Sequence, residues 1–332
     1  MRWLEPIWYR ISPLHLLLWP LSVAFAALAA LRRVLFRRGL IAITRLPVPV
    51  IVVGNISVGG TGKTPAVIWL ARLLGERGYR PGIVCRGYGG DAQVPQRAAP
   101  DSNPRVVGDE AVLLARRCGC PVWVGARRAA AAQALLASHP DCKVIISDDG
   151  LQHYGLARDF EIAVIDGERG CGNGMLLPAG PLREPLQRLN SVDALVVNGA
   201  ALFPRAILPP AVPAFEMRLV SKLFYNLLNP ALQAGPERFA RQQAHAVAAI
   251  GNPQRFFNHL RELGISFVGH PFPDHHSFEA ADLAFDRDAA VIMTEKDAVK
   301  CECLRDEKFW VLPVDAEMDP ALGELILQKI GK

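Results

Sequence analysis

The segment Gly59-Gly60-Thr61-Gly62-Lys63-Thr64 follows a β-branched run, Val50 to Val53, and a helical pattern opens at Lys63. Strand, glycine-rich turn and helix in that order make a phosphate cradle. The glycines let backbone N–H groups approach phosphate oxygens, and the helix N-terminus adds partial positive charge. In such a loop Lys63 reaches the β- and γ-phosphates of a nucleotide such as ATP, and the Thr64 hydroxyl helps to hold Mg²⁺. Ser57 stands where the consensus has its first glycine, so the local pattern leaves an ordinary glycine-rich turn open as the plainer alternative.

Carboxylates supply the second kind of chemistry. Lys143-Val-Ile-Ile-Ser-Asp-Asp149 ends a buried-type strand in two acids. Asp148 stands where the metal-associated aspartate of a phosphate-transferring site is expected, and Asp149, alternating to the other side of the strand, reaches metal through water or orients a neighbour. Gly150-Leu-Gln-His153 then brings an amide and an imidazole to the same crevice. Asp109 and Glu110 follow Gly108 at a helix start, where helix capping is the strong plainer reading of Asp109. The loop His270-Pro-Phe-Pro-Asp-His-His-Ser-Phe278 concentrates three histidines and an acid. Adjacent His275 and His276 would need further ligands to hold a metal. An acid paired with an imidazole instead suits removal of a proton from a sugar hydroxyl.

These groups need a frame. Apolar runs alternate with helical patterns from Val48 to Val197: strands at 48–53, 81–85, 122–124, 144–147, 162–166 and 194–197, with helices at 64–77, 109–117 and 127–138. That alternation predicts βαβ units and a parallel sheet, with the Pro/Gly-rich segment Cys171 to Pro185 as a loop. A second alternation, at 246–250, 266–268, 290–293 and 309–314, predicts a smaller α/β sheet. The expected organisation is an N-terminal anchor and basic flank over residues 1–38, a P-loop core over 39–225, and a smaller C-terminal α/β domain over 226–332.

Ile11 to Leu31 carries no formal charge and is long enough for a membrane helix, which needs roughly twenty apolar residues. Pro13, His15 and Pro20 suit a helix lying on the bilayer as well as one spanning it. Arg32, Arg33, Arg37 and Arg38 follow, and such clusters stay cytoplasmic and attract anionic headgroups. A cleavable leader ending near Ala29 is the rival, but it would carry a nucleotide site to a compartment without ATP. The chain of 332 residues has a formal charge of +5, scattered rather than striped, which speaks against nucleic acid as a partner. Seven cysteines, with Cys118/Cys120 and Cys301/Cys303 the closest pairs, lack the usual zinc or redox spacing and read as reduced thiols.

In order along the chain, Gly59-Gly-Thr-Gly-Lys-Thr-Pro65, Arg86-Gly-Tyr-Gly89, Gly108-Asp-Glu110, Asp148-Asp-Gly-Leu-Gln-His153, Gly172-Asn-Gly174, Leu177-Pro-Ala-Gly-Pro-Leu-Arg-Glu184, Phe272-Pro-Asp-His275 and Thr294-Glu-Lys-Asp297 resemble the tetraacyldisaccharide 4'-kinase family. Ser57 is also usual there. The resemblance implies transfer of the ATP γ-phosphate to the 4'-hydroxyl of a lipid, tetraacyldisaccharide 1-phosphate, at the cytoplasmic face of the inner membrane, with no protein partner implied. It further implies Asp109 as base and His275 as its helper from the second domain. Lys63 and the loop Gly59 to Thr64 would bind nucleotide, and Thr64, Asp148, Asp149 and Glu110 would serve Mg²⁺. Arg86, His153, Asn173 and Glu184 would line the site. Lys296 and Asp297 have no assigned role beyond a possible interdomain one. A membrane-associated regulatory P-loop GTPase or ATPase is the competing function; adjacent Lys296 and Asp297 do not fit the spacing of a guanine-reading motif.

Overall fold

The structure, a computed structural model, describes residues 8–9, 13–91, 94–204, 207–221, 223–240, 243–286, 289–301, 304 and 306–331. Ile11, at the start of the apolar N-terminal segment, and Cys303 lie outside them. Among the described residues every cysteine is a free thiol.

The first unit is built on β1 (Val50–Gly54), β2 (Pro81–Cys85), β3 (Gln96–Ala98), β4 (Val122–Val124), β5 (Val144–Asp148), β6 (Phe160–Asp166), β7 (Ala194–Asn198) and β8 (Ala214–Val220). The second carries β9 (Phe224–Asn226), β10 (Gln233–Ala234), β11 (Ala244–Ala248), β12 (Phe267–Pro271), β13 (Ala290–Thr294) and β14 (Phe309–Leu312), and β15 (Asp315–Met318) follows. The large sheet runs β15-β8-β7-β6-β1-β5-β2-β4-β3. Its strands from β8 to β4 are parallel, with β15 and β3 antiparallel at the two edges. β1 sits at the centre, all five residues buried, because Val-Ile-Val-Val is apolar on both faces of the pleat and both faces are covered.

The helices that position the site are α1 (Leu14–Arg37), α2 (Lys63–Glu76), α3 (Asp109–Cys118), α4 (Arg128–Ser138), α5 (Pro253–Glu262), α6 (Glu295–Lys300) and α7 (Pro320–Ile330). α2 buries Ala66, Val67, Leu70, Ala71 and Leu74 against Ile51 and Val53 of β1 and Ile83 of β2. α4 covers the opposite face, where Ala131, Ala132 and Leu135 meet Val84 and Ile145. The loops leaving the carboxyl ends of β1, β5 and β7 therefore open on one crevice, the usual ligand position of an open α/β sheet.

The smaller sheet runs β10-β9-β14-β13-β11-β12, parallel from β14 to β12. The end of the chain departs from the expected division at 226–332. β15 pairs with β8, and Leu322, Ile326 and Ile330 of α7 are buried in the same core as Ile51 and Leu70. Residues 315–330 belong to the first unit. Which of two sheets a strand joins is decided by long-range pairing, which periodicity does not encode.

α1 is 24 residues long, and its most apolar stretch of 18 residues has a mean hydropathy of 2.0, enough by length and composition to cross a membrane. Leu16, Leu17, Trp19, Leu21, Leu28 and Leu31 are exposed. Its buried residues are His15, Ser22 and Phe36, multiples of seven apart and so on one face. The Ser22 hydroxyl donates to the Leu176 carbonyl and accepts from the Ala179 N–H, both at 2.9 Å. The Phe36 ring lies 5.9 Å from that of Tyr154. One stripe of the helix is thus fastened to the body from end to end, and the apolar remainder faces outward.

Candidate active site

The turn from β1 to α2 has the backbone its glycines permit. Gly62 has φ +94° and Gly59 φ +111°. A Cβ on Gly62 would lie 2.3 Å from Asn198 Nδ2, the group that donates to the Thr61 carbonyl at 3.0 Å and moors the loop to β7. Gly62→Ala should therefore cost about 1–3 kcal/mol in strain alone and lower ATP affinity together with the urea midpoint. Calorimetric binding and denaturant melts that match wild type would show that the loop does not need this conformation. Lys63 Nζ rests on Asn55 Oδ1 at 3.2 Å and stands 3.6 Å from Asp149 Oδ1.

β5 delivers Asp148 and Asp149 beside this lysine. Asp148 is buried, and its Oδ1 has no hydrogen-bond partner. Burial, with Glu110 and Asp149 adding to it, pushes its carboxyl up to about 7. Asp149 takes φ +48°, one of two positive-φ non-glycine residues among those described. Burial would raise its carboxyl as well, but Lys63 and the Arg183 guanidinium, bonded to it at 3.0 and 3.3 Å, bring it down to about 2. An orphaned carboxylate oxygen that resists ionisation in the absence of a cation, in a cavity that Thr64 and Glu110 also line, belongs to a donor set of hard oxygens that fits Mg²⁺. Among the described residues no three acidic or histidine ligands converge closely enough to cage a cation. Mg²⁺ suits that arrangement because it keeps several waters and takes oxygens from phosphates.

The other positive-φ residue is His275, at φ +60°. Its Nδ1 lies 3.1 and 3.0 Å from Asp109 Oδ1 and Oδ2. Asp109 is the first residue of α3; the cap position itself is Gly108, and the carboxylate accepts from the Glu110 N–H at 2.8 Å. Burial favours the neutral acid, but the His275 hydrogen bond and the Lys296 charge outweigh it and hold Asp109 below its ordinary value. The Tyr88 ring, centroid 4.8 Å away, packs on the imidazole.

A single cavity of about 2040 Å³ between the two units is lined by Gly59 to Thr64, Arg86, Glu110, Asp148, Asp149, His153, Glu184 and His275. Asp109 lies behind His275, only 4% exposed. His153 is driven down to about 4 by burial and then by the Arg128 charge, so its imidazole is neutral at physiological pH. Glu184 is buried; it accepts from Gln152 Nε2 at 2.9 Å and from the Tyr154 hydroxyl. Asn173 departs from expectation. It is not among the cavity-lining residues; its amide donates to the Ala179 carbonyl at 2.9 Å and meets His15 of α1 at 3.1 Å. Its short polar side chain stitches the 171–185 loop to the N-terminal helix.

Sequence reasoning assigned no role to Asn55, Arg128 or Arg183. Arg128 is buried and donates to the carbonyls of Gly125 and Asp148 at 2.9 and 3.2 Å. A charged residue heading an Ala-rich helix was the available signal, though an exposed helix start gives the same pattern.

The family profile described as Tetraacyldisaccharide-1-P 4'-kinase matches residues 14–331. A tetraacyldisaccharide 4'-kinase of Dechloromonas aromatica is 52% identical over 99% of this chain and 97% of its own length. One of Methylobacillus flagellatus is 50% identical over 100% and 96%. Among solved structures, the crystal structure of LpxK from Aquifex aeolicus in complex with ATP is similar at a TM-score of 0.80 and 28% identity, covering 96% of this chain and 99% of that one.

Proposed function

The chain belongs to the tetraacyldisaccharide-1-P 4'-kinase family, and from that premise we propose that it transfers the γ-phosphate of ATP to the 4'-hydroxyl of tetraacyldisaccharide 1-phosphate in lipid A synthesis, with Asp109 as the base. The observation that carries the assignment of roles is the contact at 3.0 Å between Asp109 and His275, a residue that lines the same cavity as Lys63.

The loop Gly59 to Thr64 cradles the triphosphate, and Lys63 leaves Asn55 and Asp149 to meet the β- and γ-phosphates. Thr64, Asp148, Asp149 and Glu110 would hold Mg²⁺ directly or through water; when bound it neutralises charge on the transferring phosphoryl group. Asp109, ionised at neutral pH, takes the proton of the attacking hydroxyl, which has to reach the carboxylate past His275, since Asp109 itself does not line the cavity. His275 donates its Nδ1–H to the same carboxylate and orients it. Arg86 and His153 face the acceptor side, while Glu184 acts from behind by fixing Gln152 and Tyr154. Closing the units around both substrates converts an encounter in solution into a positioned reaction, which supplies much of the rate.

The N-terminal helix is proposed to lie in the membrane interface on the cytoplasmic face of the inner membrane. It is held to the body along its full length, about 36 Å at 1.5 Å per residue, so crossing the bilayer would strip the contacts at His15, Ser22 and Phe36. Its exposed leucines and Trp19 would enter the acyl boundary, with Arg32 and Arg33 on the cavity rim at headgroup level.

The assay is transfer of labelled γ-phosphate to tetraacyldisaccharide 1-phosphate in mixed detergent micelles, with GTP as control. Labelled lipid from ATP supports the kinase. ATP binding without lipid product removes the substrate assignment, and lipid-independent GTP hydrolysis would favour the regulatory GTPase. Deleting residues 1–31 should reduce turnover of vesicle-embedded lipid by about tenfold or more while leaving calorimetric ATP affinity within about twofold; equal losses in both would count against an interfacial role.

A further inference from the structure

Lys296, the second residue of α6, sits where the two units meet. Its ammonium lies 3.1 Å from Glu110 Oε1, 3.3 Å from Asp274 Oδ1 and 3.4 Å from His275 Nε2. The two carboxylates are the chain neighbours of the proposed catalytic pair: Glu110 follows Asp109, and Asp274 precedes His275. The Glu110–Lys296–Asp274 bridge therefore runs beside the Asp109–His275 contact and ties the same two segments, one from each unit.

The contact to Nε2 carries more information. An ammonium has three hydrogens to donate and no lone pair to accept with. In the neutral imidazole His275 Nε2 then accepts, which leaves the hydrogen on Nδ1, the nitrogen facing Asp109; the Asp274 carboxylate, 3.7 Å from Nε2, is engaged by the same ammonium. In the other tautomer the Nδ1 lone pair would face the Asp109 carboxylate, and the two would repel. Lys296 also opposes relaxation of the His275 backbone from its positive φ, since it grips Asp274 one residue earlier. Its own base is firm. Asp297, fully buried, accepts from the Ala249 N–H at 3.2 Å and the Thr294 hydroxyl at 2.7 Å, and Ala249 in turn accepts the His275 N–H at 3.3 Å.

We propose that Lys296 is a positioning residue for phosphoryl transfer: it fixes the Nδ1–H tautomer of His275 and holds that imidazole against Asp109. The inference rests on the reading of Asp109 and His275 given under the proposed function. Lys296 touches no substrate in this scheme; its effect passes through His275.

The test is a double-mutant cycle on the full chain with ¹⁵N NMR of histidine-labelled protein, the His275 resonance assigned by its loss in His275→Ala. Lys296→Met should lower kcat by about 10- to 100-fold, with KM for ATP within about threefold of wild type. Added to His275→Ala, it should cost no more than about a further threefold, because groups acting as one unit are not additive. Lys296→Arg should recover much of kcat, and wild-type His275 should show a protonated Nδ1 and an unprotonated Nε2. Losses that multiply in the double variant, or a protonated Nε2 in wild type, overturn the inference. Should Lys296→Met fail to bind ATP, the wild-type spectrum and Lys296→Arg decide by the same criteria. Full activity in His275→Ala would instead sink the reading of the pair itself. A crippled His275→Ala beside a normal Lys296→Met would sink the role of Lys296 alone.

Discussion

Asp109→Asn should lower kcat by about 10²- to 10⁴-fold while ATP binding stays close to wild type. Asparagine keeps the shape of the side chain and can still accept from the Glu110 N–H, but its amide cannot take up a proton at neutral pH. Nothing about the phosphate loop changes, so calorimetric ATP affinity should hold while transfer to lipid collapses. A kcat within about threefold of wild type would make Asp109 a structural residue of the helix start rather than the base. The pH profile of a second variant checks the same assignment. In wild type His275 and Lys296 hold the Asp109 carboxyl below its ordinary value against the opposing effect of burial. A depressed carboxylate stays ionised as pH falls until that lower value is reached, so the acid limb of kcat/KM belongs below the usual aspartate range. His275→Ala removes the hydrogen bond and leaves the burial, so the acid limb of its residual activity should move to higher pH; a limb that does not move would separate His275 from Asp109.

Lys63→Met should fail differently. The ammonium lies in the phosphate loop, hydrogen-bonded to Asn55 and paired with Asp149, and it meets the charge that grows on the transferring group. Losing one preorganised donor of this kind costs about 10²- to 10³-fold in turnover. Here the KM for ATP should rise as well, because the same group binds the ground-state triphosphate. Steady-state kinetics at saturating lipid distinguish the two variants: a kcat defect alone for Asp109→Asn, and both parameters for Lys63→Met. An unchanged KM for ATP in Lys63→Met would mean that the lysine acts only in the transition state.

Much of this site was legible in the sequence because its parts are local. Gly59 to Thr64 is a continuous turn between a strand and a helix, and Asp148 and Asp149 end a continuous apolar strand, so each carries its own signal. The parallel sheet is legible for the same reason, since every βα unit repeats the change from buried run to amphipathic helix. The Asp109–His275 contact is another matter: 166 residues separate the two, and in the sequence only family resemblance pairs them. Nothing in the surroundings of Asp109 separates base from cap. Arg128 and Arg183 escaped because a charged residue at a helix or loop start is ordinarily solvated, and only the fold reveals that one is buried under Asp148 and the other clamps Asp149. The return of β15 and α7 to the large sheet escaped because strand pairing is a long-range choice.

That return sets how the molecule can move. The chain leaves the large sheet after Val220 and re-enters it at Asp315, and those two residues are register partners on adjacent strands. The smaller unit is therefore an insertion carried on two short straps rooted side by side, not a tail on one flexible tether. Two neighbouring straps suppress twisting and sliding and leave a door-like swing about the line through their roots. Arg117 braces that line, pairing with Asp315 at 2.6 Å and with Glu295 beyond it. A swing with a single degree of freedom would bring His275 back to Asp109 along the same arc at every closure.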